Sequence, residues 1–388
     1  MKVSIALSTI RLRPMTQDIR DLVTPSCELL AYGEPTHLAP AFGFVRNELF
    51  AQLVDAGFRS IALETDRVAA LAVNDFVRDG VGTLDTAMKA FSHTFGELDH
   101  NRQLIAWMRE YNRRRPASER LSFHGFDLPT ETMTAPSPRT YLEHARDYLG
   151  LDHDIRALAG DDEQWHRTEA ILDPARSVGA TPAADTLRVI ADDMLAELYT
   201  RAPDGGADWF RARTHLTAGL DLLRYHKLSA QRIDETTRIT RMCANRDVGM
   251  ARNLLDIRAM ETAPTLVFSQ NLHLQRNLSR MTMGMDVEMT IEWHSAGAIV
   301  SALLGDRYLF VAGSLGRCAG IGLADPAPDT YEAHLRTDTW ALTPADTIPP
   351  AKTRTDPTRM QGYFPLDQPT VDGADLVLHI TDGGAEPA

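Results

Sequence analysis

Gly33-Glu34-Pro35-Thr36-His37 sets a carboxylate and an imidazole three residues apart, directly after the apolar run Leu29–Tyr32. A second apolar run, Ser60–Leu63, delivers Glu64. A histidine flanked by two carboxylates is what general-base chemistry on water requires: the acids orient the ring and tune its proton affinity. Gly33 permits a close backbone approach or a positive φ. Pro35 keeps Glu34 out of a helix, which predicts that Glu34 and His37 share a loop. The plainer reading of the same residues is a polar turn capped by Thr36.

Two more clusters add polar groups at the ends of apolar runs, and a third lies on a predicted helix. Ser122-Phe123-His124-Gly125-Phe126-Asp127 ends on an acid that could orient a base or bind substrate. His124 reads as a structural histidine within the strand. Val267–Arg276 delivers Asn271, a candidate oxyanion or substrate donor, and His273, a second candidate acid/base. The alternation of these two predicts side chains on one side of a strand. Asn245-Arg246-Asp247 lies on a predicted helix, where Arg246 could bridge the carboxylates. Arg46, on the helix after His37, has the same choice between a site and a solvated face.

The elements that must position these groups follow from periodicity. Expected strands are Glu28–Tyr32, Ser60–Leu63, Leu121–Phe126, Thr265–Ser269, Ala298–Leu303, Tyr308–Ala312 and Leu376–Ile380. Gly43–Asp55 and Leu104–Asn112 have helical spacing, and Gly57 should close the first of them. A short helix is expected around Gln17–Val23. This rhythm predicts an α/β fold: a mostly parallel sheet with helices on both faces, in which residues past the strand C-termini share one edge. Residues 138–258 differ, being rich in Ala, Leu, Arg, Asp and Glu. Thr186–Thr200, His215–Lys227 and Glu235–Ala259 read as long helices of a large insertion, with Pro203–Gly206 as a loop between two of them. The expected organisation is a first core segment over 1–137, a helical lobe over 138–258, and a second core segment with a C-terminal wrap over 259–388. Pro326–Pro369, rich in Pro, Thr and Asp, should run over the surface.

The chain has 388 residues, 44% hydrophobic and 24% charged, enough for a sizeable core. Its net charge of −13 argues against nonspecific binding to nucleic acid or anionic membranes. The three cysteines, Cys27, Cys243 and Cys318, are far apart and form no CxxC pair, which fits a reduced, cytoplasmic compartment. MKVSIALSTIRLRPM lacks the apolar core and cleavage site of a signal peptide, and no run approaches a membrane span. A small-molecule substrate is the expected partner. GxSxG, GxxxxGKS, GxGxxG opening a helix, and HExxH are all absent. A metal held by Glu34, His37, Glu64 and His273 is chemically conceivable, yet the spacing does not demand one, and no metal or cofactor is expected.

Taken together, GEPTH, FVRNELFAQLVDAGFRSIALE, HGFD, NRDVGMARNLL, SQNLHLQR and MTMGM at Met281–Met285 resemble the erythromycin esterase family, with DLVLHITD a weaker match. Their order and spacing fit over most of residues 28–310. The resemblance implies metal-independent hydrolysis in a pocket between a parallel-sheet core and a helical lobe that sets substrate choice. It implies His37 as the general base, Glu34 and Glu64 as its carboxylates, and Arg46 and His273 as the other charged members of the cleft. Arg246 and Asp247 match a family helix motif with a supporting role. The family usually has a histidine where this chain has Gln270.

The expected reaction is cleavage of an ester or lactone of a small molecule or natural product, macrolides among the candidates. The missing histidine at Gln270 motivates an alternative: a lyase, dehydratase or cyclase that uses the same His–carboxylate pair to abstract a carbon-bound proton.

Overall fold

The computed structural model describes residues 18–131, 133–283, 288–358 and 361–384. Residues 1–15 of the leader reading, Gln17, and Gly284 and Met285 of the MTMGM motif lie outside them.

Among the described residues, nine strands form two sheets. The main sheet contains β1 (Leu29–Glu34), β2 (Ser60–Asp66), β3 (Ser122–Asp127), β4 (Thr265–Gln270), β7 (Tyr308–Arg317), β8 (Trp340–Pro344) and β9 (Leu376–Asp382). Its order is β3-β2-β4-β1-β7-β9-β8. Every neighbouring pair is parallel except β8 and β9. A hairpin of β5 (Leu278–Met283) and β6 (Met289–His294) stands apart as the second sheet.

The apolar runs are continuous because both faces of the sheet are covered. Leu30 and Tyr32 pack into one core with the Pro40–Asp55 and Asp99–Asn112 helices. Leu29 and Ala31 pack into the other, with the Glu235–Met260 and Ala296–Leu304 helices. Pro40 opens its helix at the first helical position, where a missing N–H costs nothing. Gly57, at φ 101°, turns the chain just past its end, as expected.

β1 and β4 are neighbours, but the chain leaves them toward opposite faces. After β1 it enters the Pro40–Asp55 helix on one face, and after β4 it reaches the Ala296–Leu304 helix on the other. This divergence opens a crevice at the C-terminal ends of the two strands, where open α/β sheets bind ligands.

Several strands run further than their apolar runs. Glu34 is the last residue of β1, opposite Gln270, and not part of a loop. Glu64 lies inside β2. β7 extends through Gly313–Gly316. Ala298–Leu303 corrects an expectation: it is a helix. Ser295 caps it by accepting from the Ala298 N–H at 3.0 Å. A short apolar run reads alike as a strand or a helix, and the cap decides. The expected N-terminal helix is one 3-10 turn, Ile19–Asp21. The surface wrap over 326–369 carries β8, which pairs antiparallel with β9 and closes that edge of the sheet.

The close approach is what Gly33 provides. A Cβ there would sit 2.1 Å from Asn271 Oδ1 and 3.2 Å from its Cα. Gly33→Ala should therefore lose about 1–3 kcal/mol of stability by overpacking. Urea unfolding would measure it, and an unchanged midpoint would contradict this account of the β1–β4 contact.

Candidate active site

His37 sits two residues past the Glu34-Pro35 step, and its Nδ1 lies 2.8 Å from Glu34 Oε1. Its Nε2 faces Glu64 Oε2 at 3.7 Å. His273 approaches the other Glu64 oxygen, with Nε2 at 3.6 Å from Oε1. Its own Nδ1 rests on both oxygens of Asp247, at 3.0 and 3.1 Å. Two histidines, each anchored at Nδ1 by a buried carboxylate, thus turn their Nε2 atoms toward one acid.

Glu64 is built into the sheet. It accepts from Ser269 Oγ at 2.5 Å, from the Gln270 N–H at 3.2 Å and from Arg246 Nη2 at 3.1 Å. Arg246 also grips Asp127 through Nε at 2.9 Å and Nη2 at 2.5 Å, and its Nη1 lies 3.4 Å from His273 Nε2. Asp247 accepts from Trp293 Nε1 at 2.7 Å and from the Ala296 N–H at 2.8 Å. Arg246 and Asp247 are neighbours on the Glu235–Met260 helix, so that helix supplies the cation for Glu64 and the anion for His273.

These contacts set the charges. Burial pushes the Glu64 carboxyl up, but His273, His37 and Arg246 outweigh it and hold it well below the usual carboxylate range. Burial raises Glu34, with the His37 hydrogen bond pulling the other way. Burial disfavours the His37 cation, yet the Glu64 charge and the Glu34 bond win and raise the imidazole to about 9. His273 is raised for the same reason, burial being outweighed by Asp247 and Glu64.

The open side of this cluster is a cavity of about 780 Å³, within the range of drug-sized ligand pockets. Its floor includes His37, Glu64, Arg246, Asp247 and His273. Leu278, Met281 and Trp293 of the hairpin form one wall, and Tyr363, Phe364 and Pro365 form another. The C-terminal segment is tied to the active loop by the Phe364 N–H, which donates to Pro35 O at 3.0 Å. This corrects the expectation of a pocket walled by the helical lobe. Only Cys243, Arg246 and Asp247, all on the Glu235–Met260 helix, line this cavity from residues 138–258.

Three expected roles read differently in the structure. Asp127 is fully buried; it accepts from Arg246, His93 and the Leu128 N–H and does not line the cavity, so in this structure it holds Arg246. Asn271 and His273 lie on a helical turn, Asn271–Leu274, and do not alternate along a strand. The Asn271 amide is engaged at both ends by Gly313: Nδ2 donates to its carbonyl at 2.8 Å, and Oδ1 accepts from its N–H at 2.9 Å. Asn271 therefore stitches β4 to β7. Arg46 is buried behind the loop that carries His37. It donates to Asn47 and Asn101 and lies over Phe268. It meets Glu34 and His37 across a cavity of about 20 Å³, room for about one water. Burial lowers the Arg46 guanidinium to about 10, so it remains a cation near neutrality and favours the Glu34 anion at a distance.

His124 contacts Glu261 at 2.7 Å, away from this cluster. Sequence reasoning missed His93 and Trp293, which bond Asp127 and Asp247. Neither stands in a motif or ends an apolar run. Among the described residues, no three His, Cys, Asp or Glu side chains converge to hold a metal ion.

Fold and site together define an α/β protein with paired His–carboxylate units at a topological switch point. The family model described as erythromycin esterase matches residues 54–369, and the chain belongs to that family. Membership suggests esterase or hydrolase activity. No curated protein matches the sequence significantly. Among solved structures, the chain is similar to a Bacillus cereus protein at 15% identity and a TM-score of 0.66, over 94% of this chain and 90% of that one. A succinoglycan biosynthesis protein gives 14% and 0.64, over 94% and 90%. A mutant of the erythromycin esterase EreC in its open conformation gives 18% and 0.62, over 93% and 91%. At these identities the likeness is one of fold. No helix of the described residues is long and apolar enough to cross a membrane.

Proposed function

We propose that this protein hydrolyses an ester or lactone of a small molecule with a water activated by His37. The observation that supports this reading is the convergence of His37 and His273 Nε2 on Glu64, at the floor of an open cavity. Neutral His37 takes a proton from water, which attacks the carbonyl carbon. Glu34 orients the ring through Nδ1, and Glu64 takes up the positive charge that forms on it. Arg246 Nη1 and His273 lie on the far side of Glu64, placed to stabilise the oxyanion. His273, charged by Asp247, returns a proton to the leaving alkoxide.

The test is mass spectrometry in ¹⁸O-water with macrolides, smaller lactones and linear esters. Hydrolysis puts one labelled oxygen into the product. A product formed without label would replace this reading with elimination or cyclisation, the alternative that Gln270 motivates.

The His37 shift predicts a pH profile. A base must be unprotonated, and an imidazole raised to about 9 is neutral in roughly one molecule in a hundred at pH 7. Hence log kcat/KM should rise with slope about one from pH 6 and level off near 9. A plateau already reached at pH 7 would remove His37 from the role of base.

A further inference from the structure

His93 belongs to none of the motifs above, yet the chain distorts itself to place it. His93 and Thr94 have φ of 56° and 59°. Left-handed backbone is costly outside glycine, and a β-branched threonine there is a true outlier. The turn is anchored before the distortion: Ser92 N–H donates to Thr65 Oγ1 at 2.9 Å, and Ser92 Oγ accepts from the Asp66 N–H at 3.0 Å.

What the distortion secures is one imidazole between two carboxylates. His93 Nε2 lies 3.0 Å from Asp127 Oδ2, and Nδ1 lies 2.8 Å from Glu131 Oε2. The His93 N–H also donates to Glu131, at 3.1 Å. A carboxylate only accepts, and a neutral imidazole has one N–H, so engaging both acids requires the doubly protonated ring. The next aromatic residue, Phe95, packs against both histidines, 5.1 Å from the His37 ring and 5.5 Å from that of His93.

We propose that His93 is a positioning residue for the active site: a resident imidazolium that clamps the strained turn between Asp127 and Glu131, seats Phe95 on His37, and adds a positive charge beside the Arg246–Asp127 pair. Its catalytic part rests on the hydrolase reading. The charged groups that face His93 are Asp127 from β3, Glu131 from the loop after it, Glu64 from β2 and Arg246 from its helix. Burial opposes the charge, and Asp127 outweighs it, so the proton affinity of His93 is raised.

Losing this cation leaves the cluster more negative. His37 then keeps its proton to higher pH, and the base-competent fraction falls. His93→Gln should lower kcat about threefold at pH 7 with little change in KM, because it should move the rising limb of the pH profile upward by about half a unit. His93→Arg keeps a cation with donors for both acids, and should return the limb to its wild-type position.

Two measurements test this. The first needs no substrate: ¹⁵N-histidine NMR of the wild-type protein, with the His93 signals assigned by their absence in His93→Gln. Both ring nitrogens protonated at pH 7.5 supports the clamp, and a singly protonated ring overturns it. The second is the pH profile of the two variants on any ester the wild type cleaves. A limb that stays in place in His93→Gln, with only the melting temperature lowered, reduces His93 to packing and overturns the catalytic part. Absence of turnover by the wild type on every ester counts against the hydrolase reading, and the NMR result then decides the clamp alone.

Discussion

Replacing His37 by alanine should reduce turnover by about 10²–10⁴-fold, the usual worth of a positioned base. The protein should stay folded. The His37 side chain is 29% exposed at the cavity floor, and its two partners retain other interactions. Glu64 keeps Ser269, Gln270 and Arg246. Glu34 keeps the field of Arg46. The loss should fall on kcat, because the ring acts on water and not on the bulk of the substrate. Steady-state kinetics with circular dichroism would check both halves. Full turnover by a folded His37→Ala would move the base elsewhere, His273 being the next imidazole in reach of Glu64.

The largest stability effect is expected at Arg246. Its guanidinium joins Glu64 on β2 to Asp127 at the end of β3. Both carboxylates are buried, Asp127 completely. Burial works against the Arg246 charge, but Asp127 and Glu64 raise its pKa well above the ordinary value, so the cation is permanent. Arg246→Met removes that cation and keeps much of the apolar stem. It should cost about 3–5 kcal/mol, because two buried anions lose their shared counter-charge. Denaturant unfolding would measure the loss. The double variant Asp127→Asn/Arg246→Met should recover part of it, since one of the stranded charges is gone. In a His93→Gln background, where no imidazolium depends on Asp127, a double variant no more stable than Arg246→Met would show that packing, not charge, set the cost.

Glu34, His37 and Glu64 were legible in the sequence because each follows a short apolar run bounded by turn residues, and both of those runs are buried strands. A parallel sheet then brings such positions to one edge. Arg246 and Asp247 were legible as a polar pair on a helix. Their division of labour was not, because it depends on where that helix crosses the sheet. Asn271 was misread because the chain bends into a helical turn at the end of β4, which aims its amide at Gly313 and leaves His273 facing Glu64. His93 was invisible for a different reason: two consecutive left-handed residues of ordinary type have no local signature, and the bonds that hold the imidazole come from Asp127 and Glu131, 34 and 38 residues further on. β8 escaped because it is a short edge strand that ends on a proline, outside the apolar pattern of the central strands.

The cavity wall at Tyr363–Pro365 has a consequence for how this protein can change. No charged member of the His37–Glu64–His273 network comes from that segment, and one main-chain bond, Phe364 to Pro35, links it to the loop that carries His37. The hairpin is less free, because its Trp293 also holds Asp247. Phe364 and Pro365 are therefore exchangeable fittings on a fixed machine, whereas Tyr363 is buried and donates to Glu332 at 2.9 Å. Substitutions there can reshape what the chamber admits while His37, Glu64 and His273 keep their positions, and new ligand preferences should accumulate in this stretch first.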